Sequence, residues 1–218
     1  MELSEVLTKR QSVRKYKEGD VPNTAIEEMV EAARLAPSGK NIQNWHFVVI
    51  KDQATKDKVA TLIDVKNAEI AEKMAAVNEE KAARFRKFVK NFTLFFVNAP
   101  ALTIVMSTRY TPSGYNEISL YDPADPELPE LDSKRNPGMQ SLGAALENFT
   151  LKAIDLGYGS CWLTSANYAY ESIEKLVKEE LGFTEDGWFF AALMSIGIPE
   201  DNPKSPAKKT RGELITWA

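Results

Sequence analysis

Three short apolar runs constrain the fold of this chain more than any other feature: residues 45–50, 101–106 and 189–198. Each is compact, rich in branched and aromatic side chains and flanked by turn-forming residues, so each reads as a buried strand. Residues 158–164 form a fourth, shorter extended run. Helical segments lie between them. Residues 24–35 carry Ile26, Met29, Val30 and Ala33 at helical spacing, with Asn23 placed as N-cap. Residues 54–91 are rich in alanine and lysine and helical in pattern, and residues 139–156 are strongly apolar and closed by Gly157. Short helices are expected over 2–9 and 170–182. With no internal repeat and no linker, residues 1–218 read as one α+β domain.

Residues 107–137 break this pattern. Pro112, Pro123, Pro126, Pro129 and Pro137 interrupt any regular element there, and Tyr110, Tyr115 and Tyr121 supply aromatic faces. So long an irregular stretch reads as a lid or insert beside a site, or as an irregular surface connector.

Composition then narrows the chemistry. The chain has 218 residues, 44% hydrophobic and 27% charged, with a net charge of −4 and no basic stripe, so no nucleic-acid partner is expected. It has one cysteine, Cys161, and one histidine, His46, which excludes an intramolecular disulfide and a cysteine-built metal cluster. No metal site is expected. No apolar run approaches the ~20 residues needed to cross a bilayer. The first residues lack a basic-then-apolar leader pattern, and the expected location is a reducing cytoplasm. His46 has no carboxylate near it in sequence and reads as a structural histidine. Cys161, in an apolar run, reads as a small hydrophobe. No side chain is assigned a catalytic role, and the chemistry is expected to come from a bound cofactor.

Four constellations stand out. Arg10, Gln11, Ser12, Val13 and Arg14 form an extended stretch in which alternate side chains share a side, so two guanidiniums would flank a hydroxyl and clamp a phosphate. The same residues also read as a solvated basic edge. Pro37, Ser38, Gly39, Lys40, Asn41, Ile42, Gln43 and Asn44 concentrate small and amide residues between a helix and a strand. They suit the donor and acceptor edge of a heterocycle, or simply a turn. Gly157, Tyr158, Gly159, Ser160, Cys161, Trp162, Leu163, Thr164 and Ser165 join two glycines to a run ending in hydroxyls, or form an ordinary buried strand. Lys208, Lys209 and Arg211 make a basic cluster before Trp217, which is commonly a solvated end.

Taken together and in this order, these four pieces resemble the nitroreductase family of flavoproteins, from near residue 4 to the carboxyl end. The resemblance implies a central antiparallel sheet flanked by helices, in an intertwined homodimer with one FMN in each of two interfacial pockets. It implies that Arg10, Gln11, Ser12 and Arg14 hold the phosphate and ribityl chain, helped by Lys208, Lys209 or Arg211. Pro37, Ser38, Gly39, Asn41 and Gln43 would come from the other subunit and lie against the isoalloxazine, with Lys40 placed to favour its anionic reduced form. Trp162, Leu163, Thr164 and Ser165 would pass the flavin N5. Asn44 stands where the family commonly has proline, which predicts a less rigid loop. The implied activity is electron transfer from NAD(P)H through FMN to a small aromatic acceptor, a nitroaromatic or quinone, by a ping-pong mechanism. A deiodinase-like branch, a flavin-destroying branch and a non-catalytic FMN-binding module are the alternatives.

Overall fold

The computed structural model describes residues 1–110, 112, 114, 122, 124, 136–200 and 206–218, so most of the expected lid or insert lies outside the described residues. Six helices are described: α1 (Leu3–Lys9), α2 (Asn23–Arg34), α3 (Gln53–Ala75), α4 (Glu79–Phe92), α5 (Pro137–Asp155) and α6 (Tyr170–Glu179). The strands are β1 (Trp45–Ile50), β2 (Ala101–Thr108), β3 (Gly159–Leu163) and β4 (Trp188–Gly197).

The strands form one antiparallel sheet in the order β1-β2-β4-β3. Helices cover both faces, which explains why β2 is apolar at successive positions rather than alternating. Period-two geometry divides its residues between two cores. Ala101 and Val105 face α2 and α5, where Ile26, Met29, Leu142, Leu146 and Phe149 are buried. Leu102, Ile104 and Met106 face α3 and α6, packing with Val59, Ile63, Ile173 and Leu176. Full burial of each large side chain contributes roughly 1.5–3 kcal/mol.

Two local expectations are corrected. Residues 54–91 are not one helical run, because the chain breaks after Ala75 and restarts at Glu79. Asn78 caps the second helix by accepting from the Lys81 N–H at 2.9 Å. Asn23 is the first helical residue rather than the cap, and Pro22 takes the N-cap position without a side-chain bond.

The stretch after α1 lies along the outer edge of β3. Ser12 bridges Ser160 in parallel, and the Val13 N–H donates to the Ser160 carbonyl at 2.9 Å. Gly159 makes this approach possible, since a Cβ there would sit 2.5 Å from Val13 Cγ2. Tyr16 pins the far end. Its hydroxyl donates to the Val13 carbonyl at 2.7 Å and shares a hydrogen bond with Ser195 Oγ at 2.7 Å.

Candidate functional site

Docking of the Arg10 stretch on β3 builds an open cleft of about 300 Å³. Arg10, Gln11 and Ser12 line one wall, Glu147 and Thr150 of α5 another, and Ser160, Trp162 and Thr164 the floor. Strand alternation decides which of the last group take part. Ser160, Trp162 and Thr164 face the cleft, while Cys161 and Leu163 are buried in the core on the opposite face. Leu163 can therefore offer the cleft only backbone. Trp162 keeps 39% of its surface exposed and passes close to Gly143 of α5. Ser165 turns aside to accept a hydrogen bond from Thr93 Oγ1 at 3.0 Å.

Arg10 is held loosely, with Nε 4.0 Å from Glu147 Oε1, which leaves its guanidinium fork available to an anion. Arg14 behaves differently. It does not line the cleft, and its guanidinium lies 5.7 Å from the centre of the Phe92 ring. The structure thus separates two arginines that the sequence pattern pairs. Lys208, Lys209 and Arg211 are exposed and line no part of this cleft in their own chain.

The loop at 37–43 is built from an uncommon backbone. Lys40, Asn41 and Gln43 have φ of 52°, 55° and 48°, a left-handed region that costs non-glycine residues roughly 1–2 kcal/mol each. Such positions concentrate at functional sites. Internal bonds hold the shape: the Asn41 N–H donates to the Ser38 carbonyl at 3.0 Å, and the Gln43 N–H to Ser38 Oγ at 3.0 Å. The Gly39 N–H reaches Ser141 Oγ of α5 at 3.4 Å, and a Cβ on Gly39 would collide with the Tyr110 ring at 2.6 Å. Asn44, which stands where the family commonly has proline, is 1% exposed and hydrogen-bonded through its amide.

Within one chain the loop and the cleft meet different sides of α5. Gly39 and Asn44 sit at its first turn, by Ser141 and Gly138. Arg10, Trp162 and Ser160 sit by Glu147, Gly143 and Thr150. Ser141 and Glu147 are about 9 Å apart along the axis, at ~1.5 Å per residue, and about 120° apart around it.

Sequence reasoning missed Glu147 and Thr150, and named Ser160 and Asn44 within their runs without giving either a role. Glu147 and Thr150 are three apart on α5 and so share a helix face, but nothing in the sequence says which strand that face meets.

His46 lies outside both regions. Its ring stacks on Phe183 at 4.1 Å and meets Trp188 edge-on at 5.9 Å, and although the residue stays open to solvent, the desolvation of the covered ring face lowers its pKa against the opposing pull of Glu185. A base whose folded pKa is depressed adds stability that is present above its unfolded pKa and lost as pH falls through the folded one. The melting temperature of the native protein should therefore begin to fall as pH drops below about 6.5. His46→Phe should flatten that onset and leave the steeper carboxylate losses at lower pH. An unchanged slope would remove His46 as the cause. Burial also pushes the Cys161 thiol up, with Arg14 and Ser12 pulling the other way, so it is a poor nucleophile near neutral pH.

Among the described residues, no group of three or more histidine, cysteine and carboxylate side chains could hold a metal, and no helix is long and apolar enough to cross a membrane.

Comparison with known proteins agrees with this architecture. A protein of Archaeoglobus fulgidus, named provisionally as an NADH dehydrogenase/NAD(P)H nitroreductase, is 29% identical over 192 residues, 88% of this chain and 82% of its own. A solved BluB-like flavoprotein from Clostridium difficile 630 is 54% identical, with a TM-score of 0.95 over 100% of this chain and 99% of its own. Iodotyrosine deiodinase, solved with FMN and 3-iodo-L-tyrosine, shares the fold at a TM-score of 0.68 and 23% identity, over 99% of this chain and 100% of its own. Residues 7–198 match the nitroreductase family, and the chain belongs to that family.

Proposed function

We propose that this chain is an FMN-dependent oxidoreductase that moves electrons from NAD(P)H to a small organic acceptor, a nitroaromatic or a quinone. In this reading it works as a homodimer whose two sites each draw on both copies. The observation that carries the proposal is that cleft and loop meet different sides of α5. The reading takes each as half of a site that a second copy completes.

The cleft residues fit a phosphorylated flavin. Arg10 supplies a weakly engaged cation and Ser12 an exposed hydroxyl for a phosphate, and Trp162 and Thr164 supply an aromatic edge and a hydroxyl for a flat heterocycle. Bound there, FMN would supply the hydride and electron chemistry that links a nicotinamide to a second substrate. Arg10 and Ser12 anchor the cofactor, and Thr164 offers a hydrogen bond to its ring. The partner copy's 37–43 loop covers the ring and excludes water, with Lys40 adding positive charge. No acid or base side chain is required, which suits a chain whose one histidine is stacked among aromatic rings and whose one thiol is buried. Two substrates using one face in turn give ping-pong kinetics.

Purified protein is expected to be yellow, to release FMN on denaturation, and to sediment as a dimer with an interface above ~2,000 Å². Leu7, Leu35 and Leu214, exposed in the single chain, are apolar surface available for it. Anaerobic stopped-flow should show fast flavin bleaching by NADH or NADPH and reoxidation by a nitroaromatic or quinone. Protein that stays colourless after addition of FMN would sink the proposal. Bound FMN that no nicotinamide reduces would indicate a non-catalytic flavin module. Preference for halophenols would indicate the deiodinase-like branch, and loss of the flavin itself in air the flavin-destroying one.

A further inference from the structure

We propose that Asn44 is a positioning residue that fixes the left-handed loop in the geometry the flavin ring requires, by clasping three chain segments with one buried amide. This rests on the reading that the loop lies against the flavin of a second copy. Asn44 Nδ2 points at Ser107 Oγ at 3.1 Å, the Thr108 carbonyl at 3.2 Å and the Gly138 carbonyl at 3.2 Å. In return Ser107 Oγ donates to the Asn44 carbonyl at 2.6 Å. The residue next to the strained loop is thereby tied to the end of β2 and the start of α5, the two stems from which residues 109–137 leave and return.

Three features set Asn44 apart from a generic buried polar residue. Among the described residues its Oδ1 meets no donor, so the site keeps an amide although only the donor half is used. Its neighbours are shaped around that donor: a Cβ on Gly138 would lie 3.3 Å from Asn44 Nδ2 and 3.4 Å from the Tyr110 backbone nitrogen. And Lys40, Asn41 and Gln43, all at positive φ, lie within four residues of it, so the Asn44 amide adds a tie to β2 and α5 at the carboxyl end of a loop that is otherwise held by bonds within itself. The clasp makes the loop's shape depend on the spacing of the end of β2 and the start of α5.

The test uses the FMN-loaded protein. Asn44→Leu keeps the branching and heavy-atom count of the side chain and removes the donors. Trypsin cleavage after Lys40 is expected to quicken about tenfold or more, the flavin absorption band to shift, and flavin reduction by NADPH to slow about tenfold, with the rate falling more than KM rises. A fall in melting temperature with wild-type cleavage, flavin spectrum and reduction rate would reduce Asn44 to a packing residue and overturn the proposal. Gly138→Ala, which crowds the same nitrogen, is the second variant should Asn44→Leu not fold, and the same shifts are expected in it. If the wild-type protein takes no FMN, the functional reading fails, and cleavage at Lys40 in the flavin-free chain still decides whether Asn44 holds the loop.

Discussion

Arg10→Ala is expected to weaken FMN binding by about 1.5–3 kcal/mol, roughly ten- to a hundredfold in dissociation constant, the size of one lost charge-assisted phosphate contact. The expectation follows from its position. Arg10 lines the cleft, and its nearest carboxylate is 4.0 Å away, so little competes for its fork of donors. Arg14→Ala is the internal control. Its guanidinium lies over Phe92 outside the cleft lining, so it should cost much less. Fluorescence titration of apoprotein with FMN measures both. Equal losses in the two variants would mean that Arg14 swings into the site on binding. No loss in Arg10→Ala would remove the cleft as the phosphate anchor.

The second large effect concerns sharing of the site between copies. Take one chain carrying Arg10→Ala and another carrying Gly39→Val, whose side chain would strike Tyr110 and distort the loop. Each variant alone should have little reductase activity, because every site contains the defect. Mixed dimers collect both defects in one site and leave the other intact, so random mixing should restore about a quarter of wild-type sites. Refolding the two variants together and assaying NADPH oxidation with a quinone gives the answer. Absence of any recovery, in mixtures shown by mass to contain mixed dimers, would place the whole site within one chain.

The elements themselves were plain in the sequence. Residues 45–50 were read with their observed bounds, and 101–106, 158–164 and 189–198 came within two residues of the strands, because branched and aromatic runs bounded by turns have few other uses. The break after Ala75 was not legible, since no proline or glycine marks it and the cap is one asparagine in a polar stretch. Strand order was beyond reach for a different reason. The β2–β4 pairing joins Ala101 to Ile196, and nothing local in either run encodes so distant a partner.

The candidate site was legible as residue types and less so as geometry. The small and amide composition at 37–43 pointed to a special loop, and the positive φ values at Lys40, Asn41 and Gln43 agree with that. Alternation along the 10–14 stretch pairs its two arginines, and in the single chain Arg14 lies by Phe92, a residue of α4 that the pattern could not connect to it. The clasp made by Asn44 was illegible for a similar reason. Its effect depends on acceptors at Ser107, Thr108 and Gly138, all distant in sequence.

Helix α5 has a consequence for how this chain can change over generations. One end seats the loop and a later turn seats the cleft, so the helix acts as a ruler between the two surfaces proposed to share a site. Inserting a single residue between Gly143 and Glu147 would advance the cleft by about 1.5 Å and swing it by about 100° relative to the loop. Substitution can tune this helix, but insertion or deletion cannot. Lineages descended from this chain should vary freely in the length of exposed connectors and hold the interval from Gly138 to Thr150 constant.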